Sequence, residues 1–153
     1  MNIRTATLNL GQGKEASGPY QVLLNSEPFD VERAAIDVSE TTKTVVFTSP
    51  IVELYQRAIG FQLPRKALPG TYPIGSDAPS TQGFLLQNRY FANPGPDDPA
   101  GWGDFQFAYE GFMELIEWDP ATHYINGRFE LKLFISEQDQ FHLIKAKFDL
   151  RPA

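Results

Sequence analysis

The chain has 153 residues, 42% of them hydrophobic and 21% charged, with a formal charge of −6. That length suits one domain, residues 1–153, with a core of its own, and the acidity disfavours nucleic acid or an anionic membrane surface as partner, since both need a basic footprint. Cysteine is absent and the only histidines are His123 and His142, which excludes disulfides, thiolate nucleophiles and Cys-based metal sites and weighs against zinc.

Twelve Phe, six Tyr and two Trp favour strands, and twelve Gly with twelve Pro supply turns at a density long helices would not tolerate. Residues 1–10 carry no apolar run of signal-peptide length, and no later stretch would span a bilayer as a helix. The cytoplasm is therefore the expected compartment.

In chain order, residues 3–10 alternate weakly and read as an edge strand. Gly11 to Gly18 reads as a turn or loop. Tyr20 to Leu24 is a strand closed by Asn25-Ser26-Glu27-Pro28, and Phe29 to Val38 is another. Glu40-Thr41-Thr42-Lys43 makes a polar hairpin turn into the β-branched and aromatic run Thr44 to Thr48.

Near 50–59 the spacing predicts a short helix. Ser49 would cap it, Pro50 would occupy its first position, and Ile51, Leu54, Tyr55, Ala58 and Ile59 would form one face. Ile59-Gly60-Phe61-Gln62-Leu63 reads as strand, which keeps that helix short. Leu68 to Gly75 is a turn feeding a short strand, and Phe84 to Phe91 is a further strand. Residues 92–103, with three prolines, read as a rigid loop.

Phe105, Phe107 and Tyr109 alternate with Gln106 and Ala108 and lead into a hairpin. Its first strand is Gly111 to Trp118, its corner Asp119-Pro120-Ala121-Thr122-His123. In the second strand Ile125, Gly127, Phe129, Leu131 and Leu133 share one face, the mark of a half-buried strand. Gln140 to Leu150 closes the chain, burying His142, Ile144, Ala146, Phe148 and Leu150 or the opposite set. About nine or ten strands with hairpin-length connections predict an all-β, antiparallel sandwich or closed barrel, with Phe129 in its core.

Four segments carry a family resemblance: Phe61-Gln62-Leu63-Pro64, Pro69-Gly70-Thr71-Tyr72-Pro73-Ile74-Gly75, the run Gly111 to Asp119, and Ile125-Asn126-Gly127-Arg128-Phe129-Glu130-Leu131. Together, over roughly residues 56 to 150, they resemble an uncharacterised family of small bacterial β-sheet domains. In that family a Gly-Thr-Tyr turn follows an alternating strand, and a late hairpin ends in Gly-x-Phe. Many of its members look like secreted lipoproteins, whereas this chain shows neither leader nor lipid-accepting Cys. The resemblance implies a sandwich or barrel and brings no activity with it.

Chemistry-bearing patterns are sparse. Asp119 and His123 sit at a hairpin corner, where Asp ordinarily bonds its own backbone and His is solvated. Strict alternation puts Glu114 and Glu117 on opposite faces of their strand, which prevents them from acting as an acid–base pair. No nucleophile elbow, phosphate loop or dinucleotide fingerprint occurs, so neither an enzyme nor a cofactor is expected. Asn93, Asp97, Asp98 and Asp104 cluster in one loop, but their spacing fits no calcium loop.

The aromatics around residues 92–103 are more suggestive. Tyr90, Trp102, Asp104 and Tyr109 are the candidate binding residues, because Trp and Tyr at loop ends make ligand platforms and protein hot spots. The plainer reading is that these rings pin the loop to the core. The sequence thus predicts an acidic binding module for a protein partner, a basic one by charge. The alternative is a barrel carrying a small apolar or carbohydrate ligand.

Overall fold

The computed structural model describes residues 14–52, 55–74, 81–89, 103–135 and 140–153. They form twelve strands and no helix: β1 (Lys14–Ser17), β2 (Tyr20–Leu24), β3 (Glu27–Pro28), β4 (Arg33–Val38), β5 (Thr42–Thr48), β6 (Tyr55–Pro64), β7 (Gly70–Pro73), β8 (Gln82–Arg89), β9 (Gly103–Phe107), β10 (Glu110–Asp119), β11 (Tyr124–Ile135) and β12 (Gln140–Pro152). Among the described residues no helix is long and apolar enough to cross a membrane.

All pairings are antiparallel, in the order β7-β10-β11-β12-β1-β4-β5-β6-β8-β9, with β2 lying against β12 and β3 against β2. The all-β expectation holds, in the form of one curled sheet that makes a half-barrel. The curl turns on β1. Its residues Lys14 and Glu15 pair with Ile36 and Ala35 of β4, and the next two, Ala16 and Ser17, pair with Pro152 and Arg151 of β12. One short strand therefore changes neighbours midway and joins two half-sheets that face each other. This strand lies where the sequence suggested only a turn.

Gly18 makes the next step feasible. It takes a φ of +130°, and a Cβ there would stand 2.1 Å from the Asp149 carbonyl oxygen. Only glycine lets the chain pass so close to β12 before β2 resumes pairing with it. A second close approach sets the spacing between the halves: a Cβ on Gly83 of β8 would meet the Leu131 side chain at 2.2 Å. Leu131 fills the space that Gly83 leaves.

The core lies between the half-sheets. Phe129 contacts Phe61 with ring centroids 5.8 Å apart, Phe148 at 6.1 Å and Phe47 at 6.5 Å. Ile125, Phe129, Leu131 and Leu133 are buried as their alternation required, as are Ile144, Ala146, Phe148 and Leu150 of β12. Each of these Ile, Leu and Phe side chains contributes roughly 1.5–3 kcal/mol by leaving water. Burial, with no staple, holds this domain together.

The helix expected near 50–59 is overturned. Residues 55–64 form β6, paired with β5 from Thr48↔Ala58 to Thr42↔Pro64 and with β8 from Tyr55↔Arg89 to Gln62↔Gln82. Ile59, Phe61 and Leu63 face the central core, while Ala58 joins Val46, Phe84 and Leu86 in a second buried cluster on the other face of the sheet. A strand buried on both faces loses its alternation, and its run of apolar residues then matches a helical period by accident.

The placement of the glutamates is corrected too. The β10–β11 register slips between Leu115 and Glu117, so Ile116 bulges outward, Glu114 faces Arg128 and Glu117 faces Asn126. Arg128 and Asn126 share the outward face of β11, so Glu114 and Glu117 lie on one side after all. A one-residue bulge reverses the parity of everything beyond it.

Candidate functional site

Of the four candidate binding residues, Tyr90 and Trp102 fall outside the described residues, as do Asn93, Asp97 and Asp98 of the clustered acids. Asp104 lies on β9, its backbone paired with Gln87 of β8. Tyr109 is well placed. It sits between β9 and β10, where the chain passes from one half-sheet to the other: the Ala108 N–H donates to the Gly83 carbonyl of β8, and the Tyr109 N–H donates to the Lys132 carbonyl of β11. Its ring remains 56% exposed.

Two further rings join it. Phe134 of β11 pairs with Phe141 of β12 across the ladder, with ring centroids 4.8 Å apart, and Phe141 meets Tyr109 edge-on at 6.2 Å. Phe141 is 69% exposed and Phe134 36%. Three large side chains joined at the surface through Phe141 are unlike the scattered exposed residues that any protein carries. Alternation on β11 and β12 placed Phe134 and Phe141 outward, but only the strand register brings them together with Tyr109.

The same outward face continues as a ladder of charges. Arg128 reaches Glu114 at 3.1 Å and Glu130 at 3.9 Å, Lys145 reaches Glu130 at 3.4 Å, and Lys132 reaches Glu110 at 3.5 Å. Exposed pairs of this kind contribute about 0.2–1 kcal/mol each, so they shape the face more than they stabilise it. An open groove of about 380 Å³ crosses this face from Ile116 past Arg128 and Lys147 to Gln21.

Other polar clusters prove structural. At the corner after β10, Asp119 Oδ1 accepts the Ala121 N–H at 2.9 Å, and those backbone bonds hold its carboxyl below the usual carboxylate range. His123, in a left-handed conformation with φ of 63°, stacks on Trp118 at 5.6 Å. Lys43 is 1% exposed, yet its Nζ donates to the Arg65 carbonyl at 2.9 Å and the Ala67 carbonyl at 2.7 Å. The same ammonium lies 4.3 Å from the Trp118 ring centroid. Burial pushes it down to about 8, while the carbonyls and the indole face favour its charge. It clamps the segment after β6 onto the hairpin corner.

Among the described residues no group of three or more His, Cys, Asp or Glu is placed to hold a metal ion. The carbonyls beside Lys43 accept from its ammonium, the Asp119 carboxylate accepts from the backbone of its own corner, and the His123 ring stacks on Trp118. Among the described residues, the outward face of β10, β11 and β12 combines an exposed aromatic end with a groove. No family model, curated protein or solved structure matches this chain, so the case for a function rests on that geometry.

Proposed function

We propose that this domain is a protein-interaction module that docks a basic partner through the outward face of β10, β11 and β12. The observation that carries the reading is the contact of Tyr109, Phe134 and Phe141, three rings left in water together. Exposed ring faces attract Lys and Arg side chains, and the net charge of −6 adds long-range attraction for such a partner. Aromatic clusters beside a polar, ion-paired surround have the anatomy of an interface centre and rim. The packing of Phe47, Phe61, Phe129 and Phe148 in the middle of the fold favours this reading over that of a hollow carrier.

A peptide alternating Arg and Leu, titrated into the labelled protein, tests it. The amide signals of Tyr109, Phe134 and Phe141 should move saturably, and affinity should fall with added salt. The double change Tyr109→Ala and Phe141→Ala should leave the spectrum dispersed and weaken binding at least tenfold, as loss of a hot spot does. Signals that stay in place, or an affinity indifferent to the double change, would refute the assignment.

A further inference from the structure

A second feature lies on the inner side of the same strand. Period two makes His142, next to Phe141, face inward with Ile144 and Ala146. Its ring is tightly specified. The Asn25 side-chain oxygen accepts the Leu143 N–H at 2.9 Å, which turns the Asn25 amide nitrogen toward His142 Nδ1, 2.8 Å away. An amide nitrogen can only donate, so Nδ1 must accept and the neutral ring must carry its proton on Nε2. That Nε2 is buried and has no hydrogen-bond partner. A buried N–H donor without an acceptor is costly and calls for an explanation.

Arg57 supplies the second half. On β6 it shares the inward parity of Ile59 and Phe61, and its guanidinium lies over the Phe29 ring, 5.2 Å from the centroid. Among the described residues no carboxylate pairs with it. Phe29 and Asn25 belong to one small hairpin: the Phe29 N–H donates to the Val22 carbonyl at 2.9 Å, and the Asn25 N–H to the Leu143 carbonyl at 2.8 Å. One side of that hairpin therefore orients His142 and the other underlies Arg57. The two side chains also feel each other, since burial first and the Arg57 charge second hold the imidazole below its ordinary pKa.

We propose that Arg57 and His142 form a binding site for the carboxylate of a small organic acid with a short apolar tail. A carboxylate offers two acceptor oxygens, matching a planar guanidinium fork whose face is already covered by Phe29. Its second lone-pair direction meets the His142 Nε2–H, satisfying the orphaned donor. Leu133, directly opposite His142 on β11 and fully buried, gives the tail an apolar wall. Asn25 is a positioning residue: it never touches the acid but fixes which ring nitrogen can donate.

Octanoate is the probe, with octanol as the uncharged match and inorganic phosphate as the rival anion. The His142 side-chain nitrogens, followed by NMR on the intact chain, should shift saturably with octanoate, and the His142 pKa should rise as the anion offsets Arg57. Arg57→Gln should weaken binding by about ten- to a hundred-fold, the loss expected for a charge-assisted pair. Arg57→Lys, which keeps the charge but not the fork, should recover part of it. The proposal fails if His142 does not respond to octanoate in the wild-type chain, if octanol moves it equally, or if phosphate binds more tightly than the acid. It also fails if Arg57→Gln binds undiminished. The wild-type titration decides the matter even if a variant does not fold.

Discussion

Phe129→Ala is the sharpest test of the architecture, because Phe129 joins both half-sheets. The ring is 1% exposed and contacts Phe61 and Phe47 from one half and Phe148 from its own. Truncating a buried Phe to Ala costs about 3–5 kcal/mol through lost transfer energy and the cavity left behind. Each lost ring pair adds roughly 0.5–1.5 kcal/mol beyond area alone, which places this site near the upper end, at about 4–5 kcal/mol. Urea denaturation followed by tryptophan fluorescence measures it: with a slope of about 2 kcal/mol/M, the midpoint should fall by about 2 M. Phe134→Ala, on the outward face of the same strand, should cost below about 1 kcal/mol, as surface changes do. A Phe129→Ala cost under about 1.5 kcal/mol, or equal costs at the two positions, would mean that the half-sheets do not meet through this ring.

Two further outcomes follow from the backbone and from the buried lysine. Gly18→Ala should cost more than about 2 kcal/mol, since the positive φ alone costs about 1–3 kcal/mol and the added Cβ strikes the Asp149 carbonyl; a neutral effect in thermal melts would mean that β1 and β2 do not turn there. For Lys43, the folded-state pKa of about 8 lies below the ordinary 10.5, so between those values the unfolded chain holds the extra proton. Stability should then rise with pH across that window in the wild type relative to Lys43→Met, and parallel urea midpoints for the two proteins would refute it.

Where one face of a strand met the core and the other met water, the sequence was legible. Tyr124 to Phe134 and Gln140 to Leu150 alternate because each residue has a single side to choose, and the structure follows that parity residue by residue. Legibility failed where that condition failed. On β6 both faces are buried, so Ala58 and Gly60 are as enclosed as Ile59 and Phe61, and no alternation survives to announce a strand. On a helix Arg57 would lie off the apolar face, whereas on the strand it shares the inward parity of Ile59. The bulge at Ile116 was equally hidden, because a one-residue slip leaves no compositional trace. Tyr109 could be suspected from its place beside an aromatic-flanked loop, but its partners Phe134 and Phe141 are fixed by register, which only the ladder supplies.

Lys43 and the pair Arg57–His142 show how buried polar groups divide between architecture and recognition. Both interrupt an apolar interior with nitrogen donors, and desolvation depresses the pKa of both Lys43 and His142. Lys43 has everything it needs inside the chain: two carbonyl oxygens accept from it and an indole face lies against it. A third component would find nothing left to bind, and the side chain explains itself as a clamp. His142 is different, because its Asn25 contact satisfies one nitrogen only by committing the other, which is buried, to donate where the fold offers it no acceptor. Among the described residues no carboxylate pairs with Arg57, and its charge acts on the same imidazole. A fold able to satisfy Lys43 completely did not require leaving these two wanting, and that contrast is the physical reason to look for an acceptor that arrives from outside.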